Sequence, residues 1–397
     1  MNELFIQALP ILQKLEAGGF EAVFVGGCVR DYLLKRPIHD VDIATSATPQ
    51  EVKRIFKKTV DVGIQHGTVL VIENGASYEI TTYRAESEYE GNRKPKEVKF
   101  IRSLQDDLER RDFTMNAIAM NARGEIIDPF EGRQAIQNEL IDTVGNAGER
   151  FSEDALRMMR ALRFVSQLSF TCSDRTLQAL CEHRDLLHNI SIERITAEFE
   201  KLLDGRNVQQ ALRLLLDTQL FRYMPGFAAK EAELAQASRY DVRTLDSLDE
   251  KWALLLYFVT SLDEIEMFLR AWKLPVKRIR SIQAILRAVH AGNFQNKMTL
   301  FTNGLDCSLS AVRLASLIKY KNLQSIEEQV ISMWNALPIR ETSQLAVDGT
   351  LLKEWSSRPQ GPWIKETLHI ITEKVLNLEI PNEIQAIKKE VLRCNLI

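Results

Sequence analysis

The pattern of apolar and polar positions divides the chain into a mixed first third and a helical remainder. Leu4–Ala17 reads as a helix, and the run Phe20–Val25 after it is apolar and partly β-branched, the mark of a buried strand. Further strand-like runs lie at Val41–Ala44, Thr68–Ile72, Tyr78–Tyr83, Val98–Ile101 and Ala117–Met120. Short helices are expected at Val29–Leu34 and, after the start signal Thr48-Pro49, at Gln50–Lys57. Glu73-Asn74-Gly75-Ala76-Ser77 has the composition of a hairpin turn. From Ser152 onward glycine thins out and the period is helical almost everywhere, with Ser152-Glu153-Asp154 predicting a capped helix start before Ala155–Arg160. The pattern breaks again at Asp204-Gly205-Arg206-Asn207, in the polar stretch Asp241–Glu250 and at Ala291-Gly292-Asn293. No repeat, low-complexity tract or heptad array interrupts it. The expected fold class is α+β and multidomain: an N-terminal α/β head of about 145 residues on an elongated all-helical remainder.

Composition narrows the class without naming a chemistry. A chain of 397 residues is long enough for two to four structural units. Its 45% hydrophobic and 26% charged residues are those of a soluble globular protein. No stretch of about 18 apolar residues predicts a membrane span, and Met-Asn-Glu-Leu-Phe-Ile-Gln lacks the basic start of a signal peptide. The five cysteines (28, 172, 181, 307 and 394) are scattered and never form a C-x-x-C pair, which argues for reduced thiols in the cytoplasm and against a zinc site. A formal net charge of −3 means that any contact with nucleic acid must come from local basic patches.

Chemistry concentrates in the first 165 residues. Gly26-Gly27-Cys28-Val29-Arg30-Asp31 follows the first strand, where glycines let the backbone approach a ligand and a helix start offers N–H groups to a phosphate. His39-Asp40-Val41-Asp42-Ile43-Ala44 reads as a second strand whose period of two places Asp40 and Asp42 on one face. Two adjacent carboxylates repel unless a cation separates them, and Mg²⁺ favours a few carboxylates plus substrate phosphates. Together these elements suggest nucleotidyl transfer. Glu79, in the alternating strand Tyr78–Arg84, is a candidate third carboxylate. In Arg110-Arg111-Asp112-Phe113-Thr114-Met115-Asn116-Ala117 the arginines suit triphosphate oxygens, while Asp112 and Asn116 are spaced to share a face and hold ribose hydroxyls.

The run Glu153-Asp154-Ala155-Leu156-Arg157-Met158-Met159-Arg160-Ala161-Leu162-Arg163 puts an acidic acceptor and a guanidinium donor at i, i+3, with Arg160 and Arg163 continuing that flank. Cytosine presents an amino donor beside a ring acceptor, and adenine presents the same order; guanine and uracil present the reverse. An Asp–Arg pair reading the Watson–Crick edge would therefore accept C and A and refuse G and U. Taken singly, each of these features also fits a turn, a solvent-facing strand residue or a surface ion pair.

Taken together and in order, Gly26-Gly27-x-Val29-Arg30-Asp31, Asp40-x-Asp42, Glu79, Arg110-Arg111-Asp112-Phe113-Thr114-x-Asn116-Ala117 and Glu153-Asp154-x-x-Arg157-x-x-Arg160-x-x-Arg163-Phe164 resemble the class II CCA-adding enzymes, tRNA nucleotidyltransferases of the branch that includes bacterial poly(A) polymerases. The resemblance implies a head (1–145), a helical neck with a nucleobase template (146–205), a helical body (206–292) and a helical, tRNA-binding tail (293–397). It implies that Asp40 and Asp42 hold Mg²⁺ with Glu79 completing the set. Gly27, Arg30 and Arg111 would contact the triphosphate, and Asp112 and Asn116 the ribose. Asp154 and Arg157, backed by Arg160 and Arg163, would form the base template. The implied activity is template-independent addition of C, C and A to tRNA from CTP and ATP, with the tRNA 3′ end, acceptor stem and elbow as partner surfaces; a homodimer is left open.

Within the family, the segment Ala85–Glu97, with Glu86, Glu88, Tyr89, Arg93, Lys94 and Pro95, matches the flexible loop tied to adenosine addition. Gly63-Ile64-Gln65-His66-Gly67-Thr68-Val69 looks like the CCA-adding type and lacks the basic run of poly(A) polymerases. A poly(A) polymerase or an A-only adder is the alternative. His39-Asp40 is the only His-Asp in the chain, so no appended phosphohydrolase activity is expected. Lys297, Arg313, Lys319 and Lys321 suit either an RNA-facing surface or solvated helix faces, whereas the five tryptophans (252, 272, 334, 355 and 363) fit helix-packing core.

Overall fold

The computed structural model describes residues 1–396 apart from 64–65, 87–88, 91–93, 96–97, 320–323 and 357. The chain forms two compact units, Met1–Ser238 and Arg239–Ile397. Much of the expected loop 85–97, together with Ile64, Gln65 and Lys321, lies outside the described residues.

The first unit begins with α1 (Glu3–Ala17), β1 (Ala22–Val25), α2 (Gly27–Leu33), β2 (Asp42–Thr45), α3 (Pro49–Ile55), β3 (Thr59–Gly63), β4 (Thr68–Glu73) and β5 (Ala76–Thr82). The short strands Ile126–Ile127 and Ala119–Met120 complete a seven-stranded sheet, which continues in the order β1-β2-β5-β4-β3. Only β2 and β5 pair parallel in it. One face packs on α1 and α3. Phe5 of α1 meets Phe24 of β1 at 4.8 Å between ring centroids, and Val69, Val71 and Ile80 are fully buried. A capping box starts α3, with Thr48 and Glu51 satisfying each other's backbone amides. On the opposite face Val23, Val25 and Ala44 pack against Leu104, Leu108 and Val144, and the sheet is exposed only toward β4 and β3. Across it the register aligns Asp42, Glu79, Leu70 and Val60 in one row, a residue from each of β2, β5, β4 and β3.

β2 starts later than the pattern predicts. Ladder pairing begins only where Asp42 meets Glu79, so Asp40 sits in the loop before the strand and not on its face.

The rest of this unit is α4 (Leu104–Glu109), α5 (Gly132–Gln137), α6 (Ala147–Glu153), α7 (Leu156–Leu168), α8 (Asp174–Glu182), α9 (Ile192–Leu203), α10 (Val208–Asp217) and α11 (Glu231–Ala237). The expected helix start at Ser152 is corrected: Ser152 and Glu153 end α6, which Asn146 caps. Asp154 is extended (φ −136°, ψ 101°), and its carboxylate accepts the Leu156 amide at the start of α7. An Asp two residues before a helix serves its free N–H groups better than one inside it.

The second unit contains α12 (Leu248–Val259), α13 (Ile265–Ala271), α14 (Val276–Ala291), α15 (Lys297–Lys319), α16 (Gln324–Ala336), α17 (Gly349–Trp355), α18 (Trp363–Leu376) and α19 (Ile384–Arg393). Gly304, at φ 78°, interrupts α15. Trp252 and Trp272 are fully buried and meet edge-on at 5.0 Å, while Trp334, Trp355 and Trp363 pack against the core of Val312, Ile371 and Val391. The tryptophans are packing residues, as expected.

Candidate active site

Of the residues expected to bind metal or nucleotide, all except Glu79 line one open cavity of about 1210 Å³ in the first unit. The cradle at its floor is built at the end of β1. Gly26 takes φ 74°, a conformation that favours glycine, and a Cβ there would crowd Arg111 Nη1 at 3.0 Å. Arg30, in the first helix after the turn, makes a paired bond to Asp31 (3.0 and 3.0 Å) and donates to Asn116 Oδ1 at 2.7 Å. Arg111 donates to Asp107 at 3.2 Å, and its buried Nε has no partner among the described residues. An unpaired buried guanidinium N–H suits an anion.

Asp107 was not singled out from the sequence. It is 1% exposed and accepts bonds from Arg110, Arg111 and the Arg84 amide. Burial pushes its pKa up, but the charges of Arg110 and Arg111 outweigh that and hold it below the usual range. Its i, i+3 and i, i+4 spacing to the two arginines was the available signal.

Asp40 and Asp42 both line the cavity, and Glu79 flanks Asp42 across the parallel ladder. Burial raises the Asp42 pKa, and the charges of Asp40 and Glu79 add to the rise. Among the described residues no group of three His, Cys, Asp or Glu closes into a metal cage. Two hard oxygen donors with open positions beside a phosphate cradle nonetheless fit Mg²⁺, which keeps water and substrate oxygens among its ligands.

Asp112 departs from the ribose-facing expectation. Its Oδ1 accepts from the Phe113 amide (2.8 Å) and Asn116 Nδ2 (3.1 Å), and its Oδ2 from Arg160 Nε (2.6 Å) and Nη2 (2.5 Å). All four acceptor positions are taken. Burial raises its pKa, but Arg160 chiefly, with Asn116, holds it at about 2. Asp112 therefore fixes Asn116 and Arg160, and Asn116 keeps an amide hydrogen for a ligand.

Asp154 and Arg157 share the cavity without forming an i, i+3 pair. Asp154 Oδ2 accepts from Arg194 (2.8 Å) and Oδ1 from the Leu156 amide (3.1 Å). Arg157 donates to Glu153 (2.7 Å) and to the carbonyls of Arg150 (3.2 Å) and Arg110 (2.8 Å). Two acceptor positions remain on Asp154, and two N–H groups remain on Arg157. Arg163, paired with Glu198 at 2.9 Å, lies 4.3 Å from the Phe164 ring, with Arg30 at 5.2 Å and Arg160 at 5.6 Å. Arg194 and Glu198 come from α9, some 40 residues away in sequence, and no local pattern reveals them.

This chain is 48% identical over 400 residues to the CCA-adding enzyme of Geobacillus sp. (strain WCH70), covering all of this chain and 99% of the relative. It belongs to the CCA-adding enzyme family. Another member, from Bacillus cereus (strain B4264), is 44% identical over the full length of both chains. The crystal structure of the Bacillus stearothermophilus CCA-adding enzyme in complex with CTP superposes with a TM-score of 0.92 at 45% identity, over 100% of this chain and 98% of that one. A more distant family member, from Thermotoga maritima complexed with tRNA, shares the fold at 18% identity and a TM-score of 0.63. Residues 22–142 match the Poly A polymerase head domain, 169–231 the probable RNA and SrmB-binding site of polymerase A, and 243–391 the tRNA nucleotidyltransferase domain 2. The α/β head with a mostly helical remainder, expected from the sequence, is the fold of this family.

Proposed function

We propose that this protein adds C, C and A to the 3′ end of tRNA from CTP and ATP without a nucleic-acid template, releasing pyrophosphate. One observation carries the base specificity. Asp154 and Arg157 are each tied down by partners of their own, leaving an acceptor edge and a donor edge that complement cytosine and adenine alike.

The tRNA 3′-hydroxyl oxygen attacks the α-phosphorus in line; the bond to the bridging oxygen breaks, and the hydroxyl proton passes to solvent or a site carboxylate. Gly26 and Gly27 let the triphosphate approach, Arg30 and Arg111 hold its oxygens, and Asn116 meets the ribose. Asp40 and Asp42 hold Mg²⁺, which when bound supplies charge neutralisation at the phosphates. Glu79 adds negative charge beside Asp42 that favours cation binding. The division into head, neck, body and tail at 145, 205 and 292 is carried over from the family resemblance. We place the protein in the cytoplasm on its free cysteines; among the described residues no helix is long and apolar enough to cross a membrane.

The test is incubation of purified protein with tRNA lacking CCA and each labelled nucleotide, singly and in pairs. Growth by three nucleotides ending at CCA supports the proposal. Long A tails, addition of A alone or no growth overturns it.

A further inference from the structure

Beyond the carboxylates, on β5, β4 and β3, the face of the sheet that carries Asp42 becomes an exposed surface that the nucleotide cavity does not use. In the row that starts at Asp42, Glu79 is followed by Leu70 and then Val60. With strands about 4.8 Å apart, these positions lie about 5, 10 and 14 Å from Asp42. Val60 is 47% exposed, Val62 on the same edge strand 57%, and Ile72, two residues from Leu70 on β4, 39%. Aliphatic side chains so exposed on an edge strand are a liability unless something covers them.

Direction supplies the occupant. The phosphate cradle lies at the end of β1, on one flank of β2. In-line displacement puts the attacking hydroxyl opposite the departing pyrophosphate. The other flank of Asp42 is occupied by β5, β4 and β3. We infer that Leu70, Ile72, Val60 and Val62 form a platform on which the last nucleotides of the RNA acceptor strand lie, presenting the 3′-hydroxyl to the α-phosphate from the β5 side. The sugars and base faces of a single strand offer apolar surface to such a platform. Lys58, whose carbonyl accepts the Ile72 amide, stands exposed at the rim, where a backbone phosphate would pass. This platform rests on the proposed tRNA reading and deepens it.

Val60→Asp and Ile72→Asp place a charge on the platform without touching the buried face of the sheet. Each is expected to lower kcat/KM for tRNA lacking CCA by about ten-fold while leaving the CTP KM and the melting temperature unchanged. Val60→Thr, which keeps the shape, retains most of the activity. Wild-type protein irradiated with a tRNA whose last nucleotide is 4-thiouridine is expected to cross-link within residues 57–62 or 69–72, a readout that needs no variant. Wild-type kcat/KM in both Asp variants, or cross-links confined to other elements, overturns the platform. So does a dimer that dissolves on Val60→Asp, since a second copy then covers the strand. A wild type that extends no tRNA removes the proposed function itself; one that extends tRNA while the variants match it removes the platform alone.

Discussion

Asp42 and Asp112 are both carboxylates in one cavity, yet their surroundings drive them in opposite directions. For Asp42 burial, Asp40 and Glu79 all disfavour the anion, so the cost to the fold grows as pH rises through the ordinary value of 3.8 and is complete above the raised one. Asp42→Asn should therefore raise the melting temperature at pH 7 in chelator and abolish transfer of both nucleotides. Calorimetry at pH 7 and pH 4 checks this, with the gain expected to shrink at the lower pH. Asp112 is held at about 2, so its contribution is present above 3.8 and disappears as pH falls through 2. Asp112→Asn should cost about 3 kcal/mol at neutral pH, the low end for breaking a buried ion pair because Arg160 is a third exposed; the loss should close toward pH 2 in urea titrations. Arg157→Ala should raise relative use of UTP and GTP by about ten- to a hundred-fold, read as kcat/KM for the four nucleotides. Exchanging Asp154 and Arg157 is a poorer test than their spacing suggests. It would set an arginine against Arg194 and an aspartate against Glu153, so the compensating changes at 153 and 194 must travel with it.

At the scale of elements, helices and strands with strong local signals were legible and the joints between them were not. Thr48-Pro49 announces α3, and Thr48→Ala should lower stability by about 1 kcal/mol, seen in the urea midpoint, because the capping box is lost. The strands of the hairpin around Asn74-Gly75 likewise fall where alternation puts them. By contrast, the break between α6 and α7 hides in a continuous helical pattern, because Asp154 caps the second helix where the sequence offers a cap two residues too early. The motif residues could be picked out one by one, but their pairing could not. Glu79 stands beside Asp42 only because β2 and β5 run parallel, and no short pattern encodes that. Arg194 and Glu198 escape for the same reason, since they meet the template through the packing of α9 on α7.

At the scale of the whole molecule, a small set of charges is buried in each unit. In the second unit Glu250 is fully buried and bonded to Arg313 at 2.5 Å and to the Asp246 amide at 2.7 Å. Arg313, which the sequence left open as an RNA contact, is thus a structural residue, and Lys297 donates to the Leu376 carbonyl; Lys319 remains exposed. Glu250→Gln should cost about 3 kcal/mol by leaving Arg313 with only the exposed Asp246 as its anionic partner, shifting the urea midpoint while CTP affinity holds. The template in the first unit is anchored differently. Two of the three groups that hold Arg157 are peptide oxygens, those of residues 110 and 150. No point mutation at either position can delete an oxygen that every amino acid carries. Around half of this sequence differs from its Geobacillus relative. Across such drift, the aim of the guanidinium is inherited with the course of the backbone, and only positions 153 and 157 stand exposed to a single change of codon.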